Sequence, residues 1–151
     1  MASSWDPRKP RQILMWLGAA EKRLATRVNR ALKGTDLPYA QFVVLNHLAS
    51  LPGTPWTVTD LASALETGQP GVSKILHRLA AKRYVQIEPA PEDGRLKRYR
   101  LTQSGKSAYR AASSRIAPQA EDIFRNWQDG DINALHTLLY RLKSDLRPRS
   151  R

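Results

Sequence analysis

The sequence predicts a mainly α-helical chain with one small two-stranded β-hairpin, and three observations carry that reading. Apolar residues recur at three- and four-residue steps over most of the length, the period of one helix face. The period shortens to two only around Tyr84–Glu88 and Arg98–Leu101, on either side of the turn-rich stretch "PAPEDG". Glycine or proline stands where one helical pattern gives way to the next, at Gly34, Pro38, Gly53, Gly68 and Pro70.

A chain of 151 residues suffices for one domain with a real core and leaves little room for a second. Hydrophobic residues make up 41% and charged residues 25%, ordinary values for a globular protein, so disorder is not expected. The charge balance is less ordinary. Lys and Arg number 25 against 13 Asp and Glu, and the net +12 favours a polyanionic partner such as nucleic acid or an anionic membrane surface. The chain has no cysteine, which excludes disulfides, thiolate metal sites and thiol redox chemistry. No uninterrupted apolar run approaches the roughly 18 residues needed to cross a bilayer. A soluble cytoplasmic protein with no membrane partner is the expectation.

From Gln12 to Lys33 the apolar positions Ile13, Trp16/Leu17, Ala20, Leu24, Val28 and Ala31/Leu32 predict an amphipathic helix that Gly34 stops. Pro38 opens a second helix over about Tyr39–Ser50, and "LPGTP" ends it. Trp56–Val58 reads as a very short strand, followed by a helix capped by Thr59 and burying Leu61, Ala62 and Leu65. Thr67-Gly68 breaks that helix. A new one starts at Gln69-Pro70 and buries Val72, Ile75, Leu76 and Leu79. Its other face carries Gln69, Gly71, Ser73, Lys74, His77 and Arg78. Two short helices across a tight turn, the second with a polar and basic face, form a helix-turn-helix pattern.

The hairpin that follows predicts a wing. Tyr99 and Leu101 share its inner face, Arg98 and Arg100 the outer one, and Asp93-Gly94 makes the tip. Thr102 or Ser104 then caps a long helix with the seam Ala108, Ala112, Ile116, Ala120, Ile123/Phe124 and Trp127, with a kink expected near Ser114 because Pro118 lies inside it. A last helix from Asp131 buries Ile132, Leu135, Leu138/Leu139, Leu142 and Leu146. The terminal helices carry more apolar seam than one small domain covers, which predicts a two-fold dimer.

The expected organisation is a flexible basic arm over 1–11, helical dimerisation regions over 12–36 and 102–147, a winged helix-turn-helix region over 37–101, and a basic tail over 148–151. Nothing in the sequence reads as catalytic. His47, His77 and His136 lack metal-triad spacing, and there is no phosphate loop, nucleophile elbow or His-Glu-x-x-His pattern. No cofactor is called for. Trp5, Trp16, Trp56 and Trp127 are expected in the core and at the dimer interface.

The order of elements, "TGQPGVSKILHRLAAKRYV" and the wing "DGRLKRYRLTQSG" resemble the multiple antibiotic resistance regulator (MarR) family of winged-helix transcription factors, over about Trp16–Leu146. Its most specific piece is Asp93 and Arg95 followed by Leu101, Thr102 and Gly105. The resemblance implies a homodimer on a pseudo-palindromic double-stranded DNA operator, usually a repressor, released by a small aromatic or phenolic effector. The helix Gln69–Ala81 would enter the major groove and Arg95 the minor groove. Gln69, Ser73, Lys74, His77 and Arg78 would then face bases and nearby phosphates, while Thr59, Lys97, Arg98 and Arg100 grip the backbone. Asp93 would brace the wing arginines and order Arg95. Gly71 either allows close approach to the duplex or is a tolerated surface glycine. By family architecture, Trp16, Arg27, Tyr39 and Arg110 are the candidates for an effector pocket. The alternative reading is a basic winged-helix module that binds RNA or DNA without sequence preference. Two departures from the family pattern stand out: Arg83 where a glycine usually ends the recognition helix, and Pro118. The absence of cysteine excludes the family's peroxide-sensing branch.

Overall fold

In the computed structural model the described residues are 5–147. The arm's first four residues and the basic tail 148–151 lie outside them. The chain divides into two compact units, Met1–Ile116 and Ala117–Arg151. The elements run α1 (Arg8–Ala31), α2 (Tyr39–Ser50), α3 (Val58–Ala64), α4 (Gln69–Ala81), β1 (Val85–Pro89), β2 (Lys97–Leu101), α5 (Gln103–Phe124) and α6 (Asp129–Asp145). Among the described residues six helices and one antiparallel hairpin make the fold mainly α with a small β-wing.

Helix α1 begins four residues earlier than the periodicity suggested, so residues 8–11 of the expected arm are helical. Charged and proline residues hide that start from an apolar count. The Asp6 carboxylate accepts the Arg8 amide at 2.9 Å, and Pro10 falls in the first turn, where its missing donor costs no intrahelical bond. The Arg8 side chain bonds back to Asp6 and holds that carboxyl below its usual range. Gly34, with φ +90°, turns the chain out of α1 toward α2.

The core of the first unit is a cluster of aliphatic side chains. Leu37, Val44, Leu45, Leu61, Val72, Leu76 and Leu79 are fully covered. Each such side chain contributes roughly 1.5–3 kcal/mol through removal from water. Phe42 stacks on Tyr109, with ring centroids 5.6 Å apart, and the Tyr109 hydroxyl donates to Asn46 Oδ1 at 2.9 Å, which seats the start of α5 on α2.

Helix α3 is capped by Thr57, not Thr59. Thr57 Oγ1 accepts the Asp60 amide at 3.1 Å while the Asp60 carboxylate accepts the Thr57 amide at 3.3 Å, a reciprocal box that requires a carboxylate three residues after the cap. The strand expected over Trp56–Val58 shrinks accordingly to one antiparallel bridge between Trp56 and Tyr99. The break before α4 comes at Glu66, φ +52°, rather than at Gly68, whose φ is −72°.

The hairpin pairs Val85 with Leu101, Gln86 with Arg100, Ile87 with Tyr99, Glu88 with Arg98 and Pro89 with Lys97. Val85 and Tyr99 are buried against the helices, as the alternation required, and burial pushes the Tyr99 phenol above its ordinary pKa. Thr102 caps α5 by accepting the Gly105 amide at 3.0 Å. Gly105 is buried so closely under the α4–β1 junction that a Cβ there would run into the Tyr84 carbonyl oxygen.

Helix α5 continues through Pro118 to Phe124, and the proline ring removes the donor that would serve the Ser114 carbonyl. In the second unit Phe124 meets Trp127 edge to face at 5.3 Å. Helix α6 starts at Asp129, two residues before the expected Asp131, with both acids in its first turn where the helix dipole favours them. Its seam is not buried: Leu138, Leu139 and Leu146 are exposed, as are Ile13, Leu14, Trp16 and Leu17 of α1.

Helix α4 ends in a Schellman turn. Arg83, φ +62°, occupies the left-handed position, its amide donates to Ala80 O at 2.9 Å and the Tyr84 amide donates to Leu79 O at 3.0 Å. A side chain in that region costs about 1–2 kcal/mol. Glycine relieves it but loses roughly 0.4–1 kcal/mol through the unfolded chain. Arg83→Gly is therefore expected to stabilise the protein by about 0.5–1 kcal/mol in urea denaturation. A loss of stability instead would mean that the arginine side chain contributes more than its backbone costs.

Candidate nucleic-acid interface

Helix α4 presents two faces because its buried residues are spaced four and three apart. Val72, Leu76 and Leu79 point into the core, so Gln69, Ser73, Lys74, His77 and Arg78 stand exposed on the other side. Thr59 is exposed in the first turn of α3, which packs against α4. Gly71 is exposed too, and a Cβ built on it meets nothing within 4 Å. The protein by itself therefore has no packing reason for glycine at this position.

The wing tip is ordered by Asp93, but through the backbone. Its Oδ1 accepts the Arg95 amide at 2.9 Å, its carbonyl accepts the Leu96 amide at 3.0 Å, and the Ala90 amide closes the loop on Leu96 O at 2.8 Å. The brace fixes where Arg95 leaves the turn while its guanidinium stays without a partner among the described residues. Lys97 is likewise exposed and unpaired.

Arg98 and Arg100, expected to grip the DNA backbone, also have partners within the chain. Arg98 Nη2 pairs with the Glu92 carboxylate. Arg100 Nε donates to Glu88 Oε2 at 3.0 Å, and its Nη1 donates to the Gly53 carbonyl at 2.6 Å in the α2–α3 loop. The cause is register: Glu88 lies opposite Arg98 and diagonal to Arg100, within reach of long side chains. No part in holding the wing arginines was expected of Glu88, Glu92 or Gly53. Opposite charges on facing strands could have flagged the first, while the carbonyl in a distant loop left no signal.

The effector candidates stand on three helices, α1, α2 and α5. Trp16 is exposed on α1, Arg27 is half-buried further along it, and Tyr39 is half-buried at the start of α2, its amide donating to Asn29 Oδ1 at 3.0 Å. Only Arg110 of the four lines the open groove of about 570 Å³ between the end of α2, the α2–α3 loop, β2 and the start of α5. Leu48, Leu101 and Tyr109 supply apolar lining there, and Arg100, Lys106 and Arg110 supply cations. Among the described residues no cluster of three or more His, Asp or Glu could hold a metal ion, and no helix is long and apolar enough to cross a membrane.

Against known proteins, residues 35–96, from the α1–α2 loop to the wing tip, match the family model described as MarR family. Solved structures agree over almost the whole chain. A MarR family transcriptional regulator from Streptomyces coelicolor, in complex with DNA, is 20% identical over 97% of this chain and 93% of its own, with a TM-score of 0.82. BpsR of Bordetella bronchiseptica, studied for regulation of its DNA binding by 6-hydroxynicotinic acid, is 20% identical over 93% of this chain and 98% of its own, with a TM-score of 0.79. MepR of S. aureus, in a DNA complex, is 20% identical over 87% of this chain and 94% of its own, with a TM-score of 0.78.

The open space around Gly71 separates its two readings. Gly71→Ala should raise stability by about 0.5–1 kcal/mol, because alanine is the better helix former and nothing obstructs its methyl. The same variant titrated against duplex DNA then decides: weakened binding assigns Gly71 to close approach, and unchanged binding makes it an ordinary surface glycine. The stretch from the α1–α2 loop to the wing tip, residues 35–96, is thus similar to the MarR family.

Proposed function

We propose that the protein is a homodimeric regulator of transcription, a repressor, that reads a pseudo-palindromic operator in double-stranded DNA in the cytoplasm. One observation carries the reading: the polar and basic face of α4 and the braced Arg95 at the wing tip are both exposed and unpaired on a chain of net +12. Apolar burial makes that face of α4 the outward one, so it is offered to a partner. Arginine suits a narrow minor groove of high negative potential, and Lys or Arg on α4 suits guanine in the major groove. The exposed aliphatic and aromatic residues of α1 and of α6 support self-association. A two-fold dimer doubles the charge and would offer two recognition helices about one DNA turn apart, ~34 Å. DNA complexes of structural neighbours agree with this use of the fold.

Release by a small aromatic or phenolic anion is the regulatory half of the proposal. The groove beside Arg110 has apolar walls and three cations, and one of them, Arg100, also holds the wing to the α2–α3 loop. An anion that draws Arg100 from Gly53 would loosen that hold.

Arg95→Ala is expected to weaken operator binding about tenfold or more while leaving the dimer intact in sedimentation. Equal affinity of variant and wild type in a mobility-shift titration would remove the wing probe. Salt gives an independent measure. Lys74, Arg78, Arg95 and Lys97 have no side-chain partner among the described residues, so a dimer that neutralises roughly eight phosphates should show a log-log slope near −7. Selection of genomic fragments in excess bulk duplex tests specificity: a regulator retains particular fragments, whereas a coating module retains none.

A further inference from the structure

The junction between α4 and β1, Lys82 to Tyr84, is held by polar contacts from distant parts of the chain. The Lys82 ammonium donates to the Asp36 carbonyl and, at 2.7 Å, to Gln41 Oε1. The Tyr84 hydroxyl donates to the Asp36 carboxylate, 2.9 and 2.8 Å from its two oxygens. These partners lie 41 to 48 residues away in sequence, in the α1–α2 corner and the first turn of α2. Gln41 is the one buried polar residue among those described, so its amide oxygen has Lys82 in place of water. Carboxylate and ammonium partners make these contacts stronger than neutral hydrogen bonds.

The start of α5 grips the same junction from another direction. Thr102 Oγ1 and Ser104 Oγ donate to the Arg83 carbonyl at 2.7 and 2.9 Å, and the Thr102 amide donates to Tyr84 O at 3.0 Å. Arg115 Nη1 then donates to Lys33 O at 3.1 Å and closes the circuit between α5 and the α1–α2 corner. At the opposite end of α4 the N-cap, Gly68, makes no side-chain capping bond. Burial of Val72, Leu76 and Leu79 turns one face of α4 inward, and the long-range polar contacts gather as a latch at its C-terminal end.

We propose that Asp36 and Gln41, acting on Lys82 and Tyr84, are positioning residues for DNA reading: they fix the recognition helix to the corner between α1 and α2. The proposal rests on α4 being the reading helix. Base readout tolerates displacements of only about half an ångström, whereas attraction to phosphates tolerates more. Loss of the latch should therefore cost specific binding and spare non-specific binding. The hydrogen bond to Asp36, with burial adding to it, holds the Tyr84 phenol above its ordinary pKa.

Tyr84→Phe removes one oxygen and no charge, which makes it the primary variant. Full-length protein should lose about tenfold in operator affinity and change by less than about twofold on bulk duplex, with the dimer retained. An unchanged operator affinity, or an equal loss on both DNAs, overturns the proposal. Asp36→Ala and the double variant complete a cycle, in which the double should lose no more than the larger single; additive losses count against a shared latch. Amide exchange needs no DNA. In Tyr84→Phe the amides of Ala80 to Tyr84 should lose protection while those of α2 keep theirs, and unchanged exchange there rejects the latch. A wild type with no preferred fragment but latch-dependent exchange would sink the regulator reading together with the positioning role, and would leave the latch as structure only.

Discussion

Burial of Val72, Leu76 and Leu79 on one stripe of α4 is the interaction from which the other features follow. A helix of 3.6 residues per turn cannot hide that stripe without turning Gln69, Ser73 and His77 outward. The three side chains contribute several kcal/mol through removal from water. That outweighs the weak helix propensity of Gly71 and the strain of a left-handed arginine at the helix end. The polar face is thus exposed by the same force that folds the domain, and it needs no interaction of its own to hold it there. The wing depends on this core in turn, since Tyr99 must bury against it and in doing so pairs with Trp56.

Charge is distributed in two tiers on the hairpin. Arg98 and Arg100 are neutralised by Glu92 and Glu88, and Arg100 also reaches a carbonyl 47 residues away. Ion pairs of this exposure add at most about 1 kcal/mol each, so their main effect is geometric. They hold the strands and the α2–α3 loop in one arrangement while Arg95 and Lys97 stay open to a partner. A hairpin with every cation free would repel itself, and one with every cation paired would have nothing to offer a phosphate.

Much of this was legible in the sequence because it rests on local pattern. The limits of α4 follow from Gly68 before it and the end of its apolar spacing after Leu79, and the structure has the helix at those residues. Arg83 stood out as a non-glycine at a helix end, and its φ is positive. Other features rest on distance in space. The partners of Arg98 and Arg100 depend on strand register and on a loop folded back from elsewhere. The latch at Lys82 and Tyr84 joins segments more than 40 residues apart and has no one-dimensional signature. The effector candidates rest on family layout and not on a local pattern, and of the four Arg110 borders the groove at the start of α5.

Gly105 has a consequence for how related sequences should be read. Its backbone passes so near the Tyr84 carbonyl that no other amino acid fits without moving α5 away from the α4–β1 junction. Selection among variants would return glycine there whether or not the protein met DNA, a ligand or a second copy of itself. Invariance at that site reports on close contact between two stretches of backbone, and drift at the neighbouring exposed positions Gln103 and Lys106 is the better gauge of what the surface is used for.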